Sequence, residues 1–161
     1  TSDAIEQAAP KMAALIDGPC WLVPVPASHG GITANMVLAN AIAAFVTGAR
    51  VKCAVGRTRS VESSSYRRMR GLPGLTVEQH AIIRTVGPMV PLPVYFIDNV
   101  VTTGTTIAAC RRALGWGVGL TYADASTRNL WYPQRAWRSS QITDSRRLAG
   151  DFLTRPANLP V

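Results

Sequence analysis

The segment from Val94 to Leu114, VYFIDNVVTTGTTIAACRRAL, constrains the fold more than any other part of the chain. It begins with four β-branched or aromatic residues, a composition typical of a buried strand. The polar pair Asp98 and Asn99 comes where this strand is expected to end. A turn with one glycine then leads into an amphipathic helix over 107–114. The sequence therefore predicts a strand, a short polar turn and a helix in direct succession.

This order of elements is typical of a phosphate-binding site. The first turn of a helix has unpaired N–H groups and a partial positive charge. Gly104 lets the backbone approach an anion without a Cβ in the way. Asp98 and Asn99 are suited to holding the paired hydroxyls of a ribose. A threonine-rich helix start with a purely structural role is the alternative. The hydroxyls that add donors beside the glycine belong to Thr102, Thr103, Thr105 and Thr106.

Residues 96–106, FIDNVVTTGTT, resemble the PRPP-binding motif of the type I phosphoribosyltransferases. In that family two acidic residues follow an apolar strand and precede a loop, rich in threonine and glycine, that cradles the 5′-phosphate of PRPP. By this resemblance Asp98 is the first acid, whereas Asn99 stands where the second acid is usual. The positions that the resemblance assigns to the 5′-phosphate are Val101, Thr102, Thr103, Gly104, Thr105 and Thr106.

The resemblance implies an α/β fold with a mostly parallel, twisted sheet flanked by helices and a small C-terminal hood. It implies transfer of the 5-phosphoribosyl group from PRPP to a nitrogenous base with release of pyrophosphate, which is a pentosyltransferase reaction. Mg²⁺ would be bound mainly through PRPP, so no protein metal cage is expected. The oligomeric state stays open, with a homodimer as one candidate because relatives are commonly dimers. Since Asn99 replaces a carboxylate, a regulator that binds PRPP or nucleotide without turnover stays open.

Two loops complete the site that the resemblance implies. Arg57 and Arg59 open an arginine-rich segment, 57–74, that is expected to be a flexible lid over the pyrophosphate. Its spacing is loosely similar to the arginine-rich region of ComF-type members, which are linked to competence. A solvated basic loop and a nucleic-acid contact through 57–70 are the alternatives. The loop assigned to pyrophosphate itself is Ala27, Ser28, His29 and Gly30, with an ordinary connecting loop as its alternative.

The segment 124–161 follows no simple period and is the candidate hood. Trp131 or Tyr132 could stack on a nucleobase, and Asp124 or Asn129 could hydrogen-bond to its edge. Aromatic residues that only pin the tail to the core are the alternative.

Composition agrees with one domain that binds an anion. The chain has 161 residues and a net charge of +8, and fifteen of its 17 basic residues are arginine. This charge suits a pyrophosphorylated sugar or nucleic acid. Three cysteines at no metal-ligand spacing, expected to be buried, indicate a reducing compartment. With no apolar stretch long enough to span a membrane and no signal peptide, we expect a cytoplasmic protein.

The rest of the chain is expected to form one core over about 20–123. A helix over 3–16 should be kinked or split by Pro10. Thr76 and Gln79 form a capping box at the start of a helix over 76–83, in which His80 is a surface or packing residue. The remaining predicted elements are a helix over 32–46 and strands over 20–25, 50–56, 94–97 and 118–123.

Overall fold

The computed structural model describes residues 2–29 and 33–124. Gly30 of the predicted pyrophosphate loop lies outside the described residues, as do Trp131 and Tyr132 of the candidate hood. The helices are α1 (Ser2–Ala13), α2 (Ala34–Ala43), α3 (Ser64–Met69) and α4 (Thr105–Leu114), with a 3₁₀ turn at Glu78–His80. The strands are β1 (Trp21–Pro24), β2 (Arg50–Val51), β3 (Val55–Arg57), β4 (Ile82–Arg84), β5 (Val94–Val101) and β6 (Val118–Asp124).

Four of these strands form one sheet in the order β2-β1-β5-β6. Every neighbouring pair in it is parallel, and β3 and β4 form a separate antiparallel pair. The predicted fold class is therefore confirmed at this level: the protein is α/β, with an all-parallel sheet flanked by helices. Such an arrangement is compatible with a Rossmann-like fold, in which ligands bind beyond the carboxyl ends of the strands.

Alternating side chains of the central strands cover two separate cores. Leu22 and Ile97 pack on the face that carries α1 and α2. Val23 and Phe96 point to the opposite face, where they meet α4 and β3. Because successive residues of a strand point to opposite faces, a run of apolar residues is needed when both faces are buried. This is why the strands read as continuous apolar stretches rather than as alternating ones.

The central strand is longer than its sequence indicates. The sequence predicts a strand over 94–97, but β5 continues through Asp98 and Asn99 to Val101. This extension pairs with β6 alone, because the ladder between β1 and β5 ends at Pro24. One further backbone hydrogen bond, from the Val25 N–H to the Ile97 carbonyl at 3.0 Å, follows the last paired residues. Asp98 therefore lies within β5, one residue beyond the last pair that β5 forms with β1.

Two other predicted elements are wrong. The single strand expected over 50–56 is two strands, β2 and β3, which belong to different sheets. The helix expected over 76–83 is only a 3₁₀ turn, although Thr76 and Gln79 do exchange the two hydrogen bonds of a capping box. The chain leaves this turn at Ala81, in the left-handed region at φ 52°, and enters β4, which pairs with β3. The long-range pairing thus overrides a locally correct helix signal.

Three smaller expectations meet different outcomes. α1 contains Pro10 and is not split by it. α2 begins later than predicted, at Ala34, because the hydroxyl of Thr33 accepts a hydrogen bond from the Met36 N–H and caps the helix there. Cys53 is exposed rather than buried, whereas the other two cysteines are buried, and all three are free.

Candidate functional site

A cavity of about 400 Å³ lies at the carboxyl ends of β1 and β5. It brings together parts of all three segments predicted to form the site. Arg57 lines it from the end of β3, and Asp98 and Asn99 line it from β5. The other predicted site residues on its wall are Ala27, Ser28, Val101, Thr102, Gly104 and Thr106.

The start of α4 opens into this cavity without a side-chain cap. Gly104, its N-cap residue, has φ 73° and offers no side chain to the free N–H groups of the first turn. The other two helices with described caps differ, because Thr33 caps α2 and Ser63 caps α3 through their hydroxyls. A glycine takes the left-handed conformation without steric cost. The first turn of α4 therefore begins on the cavity wall with no side chain bonded to its free N–H groups, an arrangement that suits an anion.

The threonines of this loop fall into two groups. Thr102 and Thr106 line the cavity. Thr103 and Thr105 are not among its lining residues, and their hydroxyl oxygens lie 2.9 Å apart in a hydrogen bond. The Thr105 hydroxyl is also 3.1 Å from Nε2 of His80. Thr102 and Thr106 thus lie on the cavity wall, whereas the hydroxyls of Thr103 and Thr105 hold the loop through each other and through His80.

His80 is an interior residue of the site, only 1% exposed. Burial, and then the nearby Arg57 charge, lower the pKa of its imidazole, so the ring is neutral at neutral pH. Among the described residues, its Nδ1 has no hydrogen-bond partner. The expectation of a packing residue is correct, but the sequence did not indicate that it packs beneath the phosphate-type loop. The capping-box pattern concealed this, because it indicated a surface helix.

Asp98 has an unusual environment for a carboxylate. Burial raises its pKa from 3.8 to about 6. Hydrogen bonds from Asn35 and from the backbone N–H groups of Asn99 and Val100 act against this rise, as does the Arg57 charge. At neutral pH the side chain is therefore ionised but easily protonated. Perturbed carboxyl groups in a cleft are typical of functional sites.

Asn35, on α2, is the residue that holds this carboxylate. Its Nδ2 donates to Oδ1 of Asp98 and to the backbone carbonyl of Val25, each at 3.1 Å. Its Oδ1 accepts the backbone N–H of Asn99 at 3.1 Å. Sequence reasoning missed Asn35, although a signal existed. It occupies the first position of the stripe that α2 buries, where the later members are all apolar: Leu38, Ala39 and Ile42.

Arg57 is held in place rather than extended into solvent. Its Nε donates to the carbonyl of Ala27 at 2.9 Å, and one terminal nitrogen donates to the carbonyl of His80. Burial lowers the pKa of its guanidinium, while the charge of Asp98 raises it. The residue therefore braces the 27–28 loop and also places a positive charge on the cavity wall.

The remaining predicted residues lie further out. Arg59 is exposed and does not line the cavity. His29 is also outside the lining set, and its Nδ1 is 2.7 Å from the hydroxyl of Ser28. Asp124 ends β6 opposite Val101, and its side chain is outside what the structure describes. Within 57–74, Arg67 pairs with Glu62 at 2.6 Å in or beside the short helix α3.

A second cavity, of about 430 Å³, lies between β4 and α4. None of the predicted site residues lines it. Its cationic groups already have partners, because Arg112 pairs with Glu78 and Arg84 donates to two backbone carbonyls. The first cavity is therefore the one that the chemistry favours.

Across the described part of the chain, no group of three or more His, Cys, Asp or Glu side chains could hold a metal ion. In the same residues, no helix has both the length and the apolar character needed to cross a membrane.

Comparison with known proteins adds no assignment: no protein-family model matches the chain, and a search among curated proteins finds no significant match. The case for a function therefore rests on the geometry of the site and on the motif at 96–106.

Proposed function

We propose that this protein binds PRPP in the cavity at the carboxyl end of its sheet and transfers the 5-phosphoribosyl group to a nitrogenous base. One observation carries the proposal. The uncapped N-terminus of α4 and the carboxylate of Asp98 line the same cavity. A single sugar phosphate could therefore place its phosphate at the helix N-terminus and its ribose hydroxyls at the carboxylate.

The 5′-phosphate would bind at the start of α4. Backbone N–H groups there carry the partial positive charge of the helix end, and the hydroxyls of Thr102 and Thr106 can donate to phosphate oxygens. Gly104 leaves the approach open, because a Cβ built on it would have no neighbouring atom within 4 Å. A phosphate at this position would take over the capping that no side chain provides.

The pyrophosphate would lie between the 27–28 loop and Arg57. The guanidinium of Arg57 is already fixed on the Ala27 carbonyl, so the positive charge is in place before the ligand arrives. The oxygen ligands of Mg²⁺ would come from PRPP and water, because this hard cation usually keeps several of its waters. When bound, the ion would neutralise part of the charge on the leaving pyrophosphate.

Asp98 would orient the ribose. An ionised carboxylate accepts hydrogen bonds from two neighbouring hydroxyls and favours positive charge as it develops on the sugar ring. Because its pKa is about 6, we expect PRPP turnover to fall as pH decreases through that value. Asn99 can also contact a hydroxyl, but as an amide it contributes no charge.

The identity of Asn99 supports a second candidate function, a PRPP-binding regulator that does not turn the ligand over. Its side chain is exposed and lines the cavity, so the neutral amide stands beside the position proposed for the sugar. Binding then survives while catalysis is weak or absent. Both functions predict that PRPP binds in the same cavity, and only the transferase predicts release of pyrophosphate.

Calorimetry can test the binding site in separate parts. Titration with PRPP and Mg²⁺, with ribose 5-phosphate and with pyrophosphate should each give heat, because the two smaller ligands fill different parts of the cavity and PRPP fills both. Thr106→Val removes a hydroxyl from the cavity wall without a change in shape, and should weaken ribose 5-phosphate more than pyrophosphate. Thr47→Val is the matched control, because Thr47 is exposed and precedes β2 at the opposite end of the sheet. Absence of heat with PRPP would refute the proposal.

Pyrophosphate release from PRPP, measured over a panel of nucleobases, separates the enzyme from the regulator. Release with some base, abolished by Asp98→Asn, supports the transferase. PRPP binding with no release over the whole panel supports the regulator, and Asn99→Asp should then be tested for gain of turnover. The acceptor and the contribution of Asp124, Trp131 and Tyr132 to its recognition stay predictions.

A further inference from the structure

Asn35 stands out because it is a polar side chain, only 8% exposed, in the stripe that α2 buries. A buried amide costs free energy unless its donors and acceptor are satisfied. Here both the donor and the acceptor ends are used, on the carbonyl of Val25 immediately after β1 and on Asp98 and Asn99 of β5. The amide therefore connects the helix to the carboxyl ends of two neighbouring strands.

The pattern of these bonds admits few other side chains. Nδ2 supplies two hydrogens, to the Val25 carbonyl and to Oδ1 of Asp98, while Oδ1 accepts from the Asn99 N–H. Aspartate in this position could accept but not donate. Leucine, of similar size, could do neither. The site thus needs an amide of this length, which explains a polar residue where packing alone would favour an apolar one.

We propose that Asn35 is a positioning residue that fixes the Asp98 carboxylate for the sugar of the ligand. The identity of the ligand rests on the proposed function, whereas the effect of Asn35 on Asp98 does not. Asn35 binds Oδ1 of Asp98, and the Asn99 N–H donates to the same oxygen at 2.9 Å. With this oxygen held from two sides, the carboxylate cannot rotate freely.

Asn35 also orders the residue that replaces the usual second acid. By accepting the Asn99 N–H, it fixes the backbone at that position and leaves the Asn99 side chain directed to the cavity wall. One neutral residue thus sets the orientation of both polar groups at the ribose end. It does so without a second negative charge beside Asp98, which already titrates high because of burial.

Removal of the Asn35 donor should make Asp98 harder to ionise. The charged group that acts on Asp98 from a surrounding element is Arg57 of β3, and the nearby thiol of Cys110 in α4, whose pKa burial raises to about 12, is neutral where Asp98 titrates. Neither is altered by a substitution at Asn35. The free energy of a hydrogen bond to a charged group corresponds to a change of about one unit or more in the pKa of that group. A shift of that size in the titration of Asp98 would therefore report the lost bond and not a general loss of packing.

The experiment is a titration of the Asp98 carboxyl carbon by nuclear magnetic resonance without ligand, with the resonance assigned through Asp98→Asn. In Asn35→Leu we expect the pKa of Asp98 to rise by about one unit or more. In Asn35→Asp, which keeps the size of the side chain if the leucine variant fails to fold, two carboxylates would meet and the rise should be larger. Asn40→Leu is the control, because Asn40 is exposed on the same helix and bonds only to the Met36 carbonyl.

The pH profile of pyrophosphate release, or of PRPP affinity in the absence of turnover, should shift in the same direction in both Asn35 variants. An unchanged Asp98 titration in both variants would overturn the inference. If the carboxyl titration shifts as expected but the wild-type protein does not bind PRPP, the proposed function fails while the role of Asn35 toward Asp98 stands. The two failures are thus distinguishable.

Discussion

The substitution Asp98→Asn should stabilise the protein near neutral pH while it removes the proposed activity. Burial raises the pKa of Asp98 from 3.8 to about 6, so the folded state holds the proton more tightly than the unfolded chain does. The neutral carboxyl form therefore stabilises the fold fully below the lower value. That contribution is lost as pH rises through the higher one.

The size of the effect follows from the same shift. A difference of about two pKa units, at about 1.4 kcal/mol per unit, corresponds to about 3 kcal/mol. An asparagine can keep the hydrogen bonds from Asn35 and the Asn99 N–H, because its carbonyl oxygen accepts as the carboxylate oxygen did. Its NH₂ group replaces a carboxylate oxygen and cannot accept a hydrogen bond, which reduces the gain. We expect the variant to be more stable by about 1–3 kcal/mol near neutral pH.

Denaturant unfolding at fixed ionic strength, followed from about pH 4 to about pH 8, measures this difference. The two unfolding free energies should converge near the acidic end and separate between about pH 4 and pH 6. Asp17→Asn, at an exposed position after α1, is the control and should show little such separation. A difference that is constant with pH, or one that favours the wild type increasingly as pH rises, would refute the reasoning.

Three further substitutions test the architecture around the cavity. Arg57→Lys keeps the charge but loses the planar group that donates to the carbonyls of Pro26, Ala27 and His80. The affinity for pyrophosphate should fall, and the free energy of unfolding should decrease by about 1–3 kcal/mol. Gly104→Ala places a Cβ on a residue with φ 73°, so the free energy of unfolding should decrease by about 1–2 kcal/mol. Calorimetry should show weaker binding of ribose 5-phosphate, and an unchanged affinity would count against the phosphate site. Gly119→Ala brings a Cβ to 2.6 Å from Cδ1 of Ile107, where β6 meets α4, and should cost about 1–3 kcal/mol; an unchanged stability would show that Ile107 moves aside freely.

Much of the fold can be read from short stretches of sequence. The apolar run at 94–97 predicts a strand buried on both faces, and the pattern after Gly104 predicts the amphipathic helix α4. Their order, repeated along the chain, favours a parallel sheet with helices on both sides. Part of the cavity wall, including Asp98, Gly104 and Thr106, is also predicted by the sequence, because strand ends and helix starts are local features.

The errors occur where a distant partner determines the conformation. The Thr76 and Gln79 capping box forms, yet the helix stops after one turn because β4 pairs with β3. The strand expected over 50–56 divides because its two ends join different sheets. Local propensity contributes tenths of a kcal/mol per residue, so a strand pairing or a buried face can override it.

The sequence alone thus determined the elements that carry the site: a strand followed closely by an acid and an amide, which the structure shows to be part of that strand, and a helix that starts at a glycine. Only the tertiary structure decided that Asn35, 63 residues from Asp98 along the chain, would hold that acid, and that His80 would lie beneath the loop. The physical reason is that backbone periodicity is encoded by neighbours in sequence. Hydrogen bonds between buried side chains depend instead on which elements the closed fold brings together.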